Sequence, residues 1–423
     1  MATEIWKGNI CYSLSRTQLR TVEGGYLVWE DGLSAGVFET LPERYASLPV
    51  TDWGDKLIVP GLCDLHIHAP QYPHRALGLD MELIDWLNTR AFPEEEKYEN
   101  PEYARRAYHV FAGCLKRGAT TRACVFASRH VEATKILMEE LEQAGIYAYV
   151  GKVNMDRNST PRLQEASAGQ SLANTRAWLE ETLGSYRRVK PILTPRFIPS
   201  CTDELLYGLA ALQREYKLPM QSHLSENRGE IAWVKELCPT SRFYGDAYDS
   251  YGLFGSEGPA IMAHCVSSEE EERRLMKQRG VFIAHCPASN TNLSSGIAPM
   301  RIYFEVEQNM GLGSDIAASH TDSIFRAMTD AIQMSKLYWR YVDDTKKPLT
   351  AAEAFWLGTC GGGAFFGRVG SFEPGYEQDA LIIDDSGIDI VDPLSLQDRL
   401  ERVMYLSDDR HLVAKYSGGE RVF

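Results

Sequence analysis

The chain has 423 residues, of which 44% are hydrophobic and 24% are charged, a composition that is ordinary for a globular enzyme and a length that suits one large barrel-type domain with a smaller appendage. The formal net charge of −14 argues against binding to nucleic acid, because such binding draws its affinity from clustered Lys and Arg, and it favours a small neutral or cationic molecule as the partner.

The cysteine pattern and the hydropathy of the sequence bear on where the protein works. Nine cysteines, an odd number without a Cys-x-x-Cys pair, fit reduced thiols better than a disulfide framework. The first residues form no apolar signal core, and no apolar run is long enough to span a bilayer. We therefore expect a cytoplasmic protein that has no membrane partner.

Short alternating segments over residues 8–60 predict small antiparallel strands at the start of the chain. Residues 59–68 follow as a mostly apolar run that ends in His-x-His, which is typical of a buried strand. Because side chains alternate along a strand, His66 and His68 should point to the same side. That is half of a metal site, and the alternative is a pair of histidines that bind nothing.

After His68 the sequence changes to a regular alternation of helices and strands. Asn100-Pro101 predicts a helix start and Gly118 its end, and residues 203–216 and 268–279 predict further helices. In the last of these, four glutamates lie in the first turn and basic residues in the last, so the acidic run indicates a helix start and not a binding patch. Seven further strands are predicted, at residues 120–127, 146–155, 189–197, 220–226, 260–266, 281–287 and 310–317.

Eight strands that alternate with helices predict an α/β fold, namely a (β/α)8 TIM-type barrel, with a doubly wound open sheet as the alternative. Beyond Gly361 the chain returns to turns and short strands, which we expect to join the N-terminal strands in a small β-sandwich. The predicted domains are residues 1–59 and 366–423, the two halves of the sandwich, and residues 60–365, the barrel. Two long polar connections, 156–170 and 288–299, are expected to cover a site or to be surface slack.

Polar side chains recur at the ends of the predicted strands. In a barrel the carboxyl ends of all strands meet at one face, where the catalytic groups lie. Three imidazoles and a carboxylate, with a water completing the set, suit zinc or ferrous iron. Cys265 and Cys286 each neighbour a strand-end histidine, so by alternation they should face the helices if those histidines face inward, with thiolate ligation of the metal as the alternative. The residues collected at this face are His66, His68, His223, Glu226, His264, His285 and Asp315.

The motifs around these strand ends are similar to those of a known family. They are Pro60-Gly-Leu-Cys-Asp-Leu-His66-Ile-His68, Ser222-His223-Leu-Ser-Glu226, Met262-Ala-His264-Cys, Ala284-His285-Cys-Pro and Gly313-Ser-Asp315. Over nearly the whole chain they resemble the amidohydrolase superfamily and, within it, the guanine deaminase family. Within the superfamily, Gln71 and the pair Arg196-Phe197 are the residues that narrow the implied substrate to guanine. Pro70 departs from the family pattern, because many members carry Ser at that position.

The resemblance implies a metal-dependent aminohydrolase that converts guanine to xanthine and ammonia by attack of water at C2. It also implies one Zn2+ per subunit, with Fe2+ as the alternative metal, a purine base as the partner and a homodimer. The implied metal ligands are His66, His68, His223 and Asp315. The implied catalytic residues are Glu226, His264 and Asp315, and the implied substrate-binding residues are Gln71, Arg196, Phe197, His223 and Glu226.

Each implied role has a chemical reason. Asp315 would take the proton of the water while Glu226 protonates a ring nitrogen, and His264 would hold the attacking oxygen. The planar guanidinium of Arg196 can donate two hydrogen bonds that match the O6 and N7 acceptors of guanine. Gln71 can both donate and accept hydrogen bonds at the purine edge, and Phe197 would pack on the ring.

Two other readings remain at this point. One is the same metal site acting on another amino- or chloro-substituted ring, such as a triazine or a modified nucleoside. The other is a non-catalytic relative that keeps the barrel as an assembly scaffold.

Overall fold

The computed structural model describes residues 3–423 and has a mixed α/β architecture. Within those residues, no helix is both long enough and apolar enough to cross a lipid bilayer. The strands are β1 (Thr3–Ser13), β2 (Leu19–Glu30), β3 (Leu33–Phe38), β4 (Val50–Pro60), β5 (Leu62–His68), β6 (Thr120–Phe126), β7 (Tyr147–Gly151), β8 (Val153–Asn154), β9 (Val189–Pro191), β10 (Thr194–Pro195), β11 (Met220–Leu224), β12 (Ala260–His264), β13 (Phe282–His285), β14 (Asn309–Leu312), β15 (Ala380–Ile383), β16 (Leu412–Ser417) and β17 (Glu420–Arg421).

The helices connect and cover these strands, and two π-helical segments, Leu87–Ala91 and Leu357–Gly361, extend helices α1 and α13. The α-helices are α1 (Leu83–Trp86), α2 (Phe92–Glu95), α3 (Pro101–Arg117), α4 (Val131–Ala144), α5 (Ala168–Thr182), α6 (Asp203–Tyr216), α7 (Arg228–Leu237), α8 (Tyr244–Tyr251), α9 (Glu270–Arg279), α10 (Pro287–Asn292), α11 (Met300–Glu305), α12 (Ile324–Tyr341), α13 (Ala351–Trp356) and α14 (Leu396–Leu406).

One seven-stranded sheet unites the N- and C-terminal segments, with the strand order β17-β16-β15-β4-β1-β2-β3. Strand β4 lies between β1, to which it is parallel, and β15, to which it is antiparallel. Trp6 of β1 packs against Trp29, with ring centroids 5.6 Å apart, and against Tyr416, at 4.4 Å. The two ends of the chain therefore share one apolar cluster, which confirms that their strands join.

Two four-stranded parallel sheets carry the strands that lead to the site, in the orders β5-β6-β7-β9 and β11-β12-β13-β14. Hydrogen bonds link the two sheets at both edges. The N–H of Gln221 donates to the carbonyl of Leu193 at 2.9 Å, and the N–H of Asp315 donates to the carbonyl of His66 at 2.8 Å. The predicted alternation of parallel strands and helices is confirmed.

Helix boundaries follow local chemical signals. The Asn100 side chain accepts the backbone N–H groups of Glu102, at 2.9 Å, and Tyr103, at 3.4 Å, at the start of α3. At the end of α9, Gly280 has a φ of +69°, a left-handed conformation that a residue without Cβ adopts without strain. At the other end of α9, Glu270, Glu271 and Glu272 lie in the first turn. The acidic run is therefore a helix start, as predicted.

Three regions differ from the prediction. The connection 288–299 is not a continuous loop, because α10 occupies its first part. The predicted strands 146–155 and 189–197 are each divided in two, and in the second of them Pro191 and Pro195 lack the N–H that a ladder needs. Helix α14 lies in a tail that we expected to hold only strands and turns. Its apolar residues recur with helical spacing at Leu396, Leu400, Val403 and Met404.

Candidate active site

Three imidazoles meet where β5 and β11 end. His66 and His68 leave β5 on the same side, as the alternation predicts, and His223 reaches them from β11. The Nε2 atom of His68 lies 3.2 Å from Nε2 of His66 and 3.2 Å from Nε2 of His223. All three side chains are buried, so their mutual approach is imposed by the strands that carry them.

Asp315 completes this cluster from the segment that follows β14. Its Oδ1 lies 3.3 Å from Nε2 of His66 and 3.6 Å from Nε2 of His68. Asp64 fixes this segment, because its carboxylate accepts the backbone N–H groups of His66, at 3.1 Å, and Ser314, at 3.0 Å. The backbone hydrogen bond from the N–H of Asp315 to the carbonyl of His66 adds a second link. The carboxylate and the two β5 imidazoles are thus held together through the backbone.

Four of the distances among these donors fit a small divalent cation. Ligands that stand roughly 2.0–2.2 Å from a tetrahedral zinc are separated from one another by roughly 3.3–3.6 Å, close to the 3.2–3.6 Å of the pairs His66–His68, His68–His223, His66–Asp315 and His68–Asp315. Two of the side-chain groups that could hold a metal ion are His66, His68 and Asp315, and His66, His223 and His264. The Nδ1 of His223 lies 2.6 Å from the carbonyl oxygen of Arg196, so that nitrogen carries the proton and Nε2 offers a lone pair. Burial lowers the pKa values of His68 and His223, and their imidazole neighbours lower them further, which keeps both rings neutral, as metal ligation requires.

His264, at the end of β12, faces two carboxylates. Its Nε2 lies 3.4 Å from Glu226 Oε2 and 3.9 Å from Asp315 Oδ2. The other ring nitrogen, Nδ1, donates to the amide oxygen of Asn290 at 2.9 Å. Burial opposes protonation of this ring, but the negative charges of Glu226 and Asp315 outweigh burial and raise the pKa of His264. His264 therefore presents an N–H to the space between the two carboxylates.

Glu226 is a buried acid at the end of the segment that follows β11. Ser295 donates its hydroxyl to Glu226 Oε1 at 3.1 Å. Burial raises the pKa of Glu226, and the negative charge of nearby Glu230 adds to the rise. Glu230 accepts the backbone N–H of Glu226 at 3.2 Å and the hydroxyl of Tyr244 at 2.7 Å. A carboxyl group with a raised pKa can hold and deliver a proton near neutral pH.

Glu230 was not singled out in the sequence. The pattern Asn227-x-x-Glu230 signals the capping box that starts α7, but it carries no hint that the carboxylate also lines the site.

A cleft opens beside the donor cluster. The structure brings all the predicted substrate residues to its wall, and three large apolar side chains of the segment after β5 form another part of that wall. The lining includes Gln71, Arg196, Phe197, His223, Glu226, His264 and Asp315 together with Leu83, Trp86 and Leu87.

The guanidinium of Arg196 is held by Glu95, a residue that the sequence analysis missed. Nη1 of Arg196 donates to both carboxylate oxygens of Glu95, at 3.0 and 2.7 Å. Glu95 ends the four-residue helix α2, which is too short to show a periodic pattern. No signal in the sequence separates this glutamate from Glu94 and Glu96 beside it.

Cys286 departs from its predicted orientation, whereas His285 ends β13, as predicted. The ring of His285 is buried, and within residues 3–423 neither of its nitrogens has a hydrogen-bond partner. Burial and the neighbouring His264 lower the pKa of His285 to about 3. The sulfur of Cys286 lies within 4.8 Å of ligand atoms of His264 and Asp315, so it does not face the helices as predicted. Burial raises the pKa of this thiol well above its ordinary value, which keeps it protonated and a poor ligand.

Comparison with known proteins places this site in a family context. The sequence model described as the amidohydrolase family matches residues 57–422. A guanine deaminase from Dictyostelium discoideum is 39% identical over 381 residues, which cover 88% of this chain and 84% of the relative. A guanine deaminase from Escherichia coli strain K12 is 33% identical over 428 residues, which cover 96% and 92% of the two chains.

Among solved structures, a guanine deaminase from C. acetobutylicum with guanine bound in its active site matches with a TM-score of 0.97. It is 44% identical and the match covers 100% of both chains. The similarity therefore extends over the terminal sheet as well as over the strands that carry the site.

Proposed function

The chain belongs to the amidohydrolase family, and on that premise we propose that it deaminates guanine by hydrolysis, giving xanthine and ammonia. One observation carries this conclusion. The His/Asp donor cluster shares a single cleft with Gln71 and Arg196, the two side chains suited to a purine edge, in a chain whose close relatives are guanine deaminases.

The finer architecture belongs to the same proposal. We infer that residues 60–365 form a closed (β/α)8 barrel, and that residues 1–59 and 366–423 form the two halves of a β-sandwich beside it. The hydrogen bonds that link the two parallel sheets at Leu193 and at His66 support closure, because a closed barrel leaves no free strand edge. The packing of Trp6 against Tyr416 supports the joining of the two halves.

We infer that His66, His68, His223 and Asp315 hold one Zn2+ per subunit, with Fe2+ as the alternative metal. When bound, such a cation supplies Lewis acidity that lowers the pKa of water to about 7. The donor spacing and the neutral imidazoles support this choice.

Two side chains transfer protons, and a third stabilises charge. Asp315 accepts the proton of the attacking water, whose oxygen forms a bond to C2 of guanine. Glu226, with its raised pKa, gives its proton to the ring nitrogen beside C2. The N–H of His264 stabilises the negative charge that develops on the attacking oxygen. Asp315 then gives the proton that it accepted to the exocyclic amino group, so the C2–N bond breaks and ammonia leaves. The hydroxyl proton on C2 passes to Glu226 as the C2 carbonyl of xanthine forms.

Substrate recognition depends on the walls of the cleft. The N–H groups of Arg196 match the O6 and N7 acceptors of guanine, and Gln71 offers one donor and one acceptor to the purine edge. Phe197 packs on the ring, and Trp86 closes the apolar side. The net charge of −14 opposes binding to a nucleic-acid chain, so the proposed substrate is the free base. The homodimer stays a prediction from the resemblance.

The decisive experiment is ammonia release from guanine before and after treatment with a chelator. We expect turnover of guanine, its loss on chelation, and its return when Zn2+ is added. Adenine, cytosine and a chlorinated triazine serve as comparison substrates, because a cleft that reads O6 should reject them. Turnover of the triazine in preference to guanine would favour the runner-up activity, and no turnover in metal-loaded protein would favour a non-catalytic scaffold.

A further inference from the structure

A buried carboxylate that has no role in the proposed proton transfers lies behind the purine-binding side chains. Glu95 is 1% exposed. Its Oε1 accepts a hydrogen bond from Nε2 of Gln71 at 2.8 Å, and both of its oxygens accept from Nη1 of Arg196. The two side chains that would read guanine come from distant parts of the sequence, yet they share this one acceptor.

Helix α2 holds Arg196 in two ways. The guanidinium carbon lies 5.0 Å from the ring centroid of Phe92, a distance at which a cation is attracted to an aromatic face. Phe92 and Glu95 are three residues apart, so they lie on the same side of the helix. The backbone of Arg196 is fixed as well, because its carbonyl accepts from His223.

The amide of Gln71 is fixed at both of its ends. Its Nε2 donates to Glu95, and its Oε1 accepts the backbone N–H of Ala317 at 3.2 Å. This pairing determines which end of the amide is the donor. One hydrogen on Nε2 and one lone pair on Oε1 remain for a substrate. Without Glu95, the amide would lose one of the two partners that keep it from flipping.

Glu95 also balances the charge of the cleft wall. The Arg196 side chain is 4% exposed, and a buried cation without a partner is costly. Paired with Glu95, Arg196 presents N–H donors without a net charge, which suits a neutral base. We propose that Glu95 is a positioning residue that sets base specificity by holding Arg196 and Gln71 in the one arrangement that matches guanine. This inference rests on the proposed function.

The test is Glu95→Gln in the metal-loaded full-length protein. The amide removes the negative charge that balances Arg196, and its NH2 group can only donate, so one of the two oxygens that accept from Arg196 is lost. The interactions that Glu95 organises are present in the ground state and in the transition state, so KM for guanine should rise by about tenfold or more while kcat stays within about threefold. The preference for guanine over adenine in kcat/KM should fall in parallel.

A matched control separates positioning from stability. Glu353→Gln breaks another ion pair, in which the buried Glu353 carboxylate accepts two bonds of 2.7 Å from the half-buried Arg301, and Glu353 does not line the cleft. We expect this variant to lower Tm and to leave KM unchanged. Glu95→Asp keeps the charge but shortens the side chain, so KM should lie between the values of the wild type and Glu95→Gln.

The proposal is overturned if folded Glu95→Gln keeps the KM and base preference of the wild type, or if kcat alone falls. If Glu95→Gln does not fold, the KM of Glu95→Asp decides, and a wild-type value overturns the proposal. A wild-type protein that releases no ammonia from guanine would refute the proposed function itself, which is a distinct result.

Discussion

Replacement of Glu226 by Gln removes an acid while it keeps the shape of the side chain. The glutamine oxygen can still accept the hydroxyl of Ser295, which lies 3.1 Å from the carboxylate. Glu226 is outside the set of four proposed metal ligands, so the cation should stay bound. What disappears is the proton that the carboxyl group delivers to the ring nitrogen of the purine.

The size of the effect follows from that single loss. A positioned general acid contributes roughly 10²- to 10⁴-fold to a rate, so the variant should lose about 3–5 kcal/mol of transition-state stabilisation in kcat. KM should change little. Because burial raises the pKa of Glu226, the folded protein holds the charged form at a cost in stability. The uncharged amide should therefore leave Tm unchanged or raise it.

The assay measures kcat for guanine, bound metal per subunit and Tm in the wild type and the variant. Glu272→Gln is the matched control, since Glu272 is also buried and hydrogen-bonded, accepting from Ser225 at 2.8 Å and from Gly245 at 2.7 Å, but does not line the cleft. A kcat of Glu226→Gln within about tenfold of the wild type would refute the assigned role. So would a loss of metal in this variant, because the effect would then come from the metal site.

Three further predictions test other parts of the molecule. Arg196→Lys should raise KM for guanine by a factor that corresponds to about 1–3 kcal/mol, because an ammonium group cannot make a bidentate contact; steady-state kinetics will check this, and an unchanged KM would contradict it. Asp315→Asn should lower the metal content per subunit as well as kcat, and full metal occupancy would remove this residue from the ligand set. Lys415 is buried and donates to the carbonyls of Leu115 and Gly118, and burial lowers its pKa from 10.5 to about 7. Between these two pH values the unfolded chain binds more protons than the folded protein. The free energy of unfolding, measured relative to Lys415→Met, should therefore rise from about pH 7 to pH 10, by at most about 1.4 kcal/mol per pH unit. Chemical denaturation across that range measures this difference, and a fall with pH would contradict the prediction.

The donor cluster was predictable because its residues stand at the ends of parallel strands. The alternation along a strand is local, so it places His66 and His68 on one side without knowledge of the rest of the fold. That His223 and Asp315 meet them follows from the convergence of strand ends once parallel strands are predicted. Four of the six distances among these groups support the ligand set proposed for them.

Glu95 and Glu230 could not be predicted, because their roles depend on contacts between residues far apart in the sequence. Glu95 lies in a short helix with glutamates on both sides, and only the approach of Arg196 distinguishes it from them. Helix α14 is a different case. Its apolar spacing was visible in the sequence, but the expectation of a β-rich tail took precedence over it.

The position of β4 in the terminal sheet has a consequence for biosynthesis. One edge of this strand pairs with β1, which the ribosome makes early, and the other pairs with β15, which emerges only after the whole catalytic region. Until then, the β15-facing edge of β4 has unpaired backbone groups, and such edges pair readily with foreign strands. A nascent or truncated chain that lacks β15 would thus present an aggregation-prone surface even if its catalytic region had already folded.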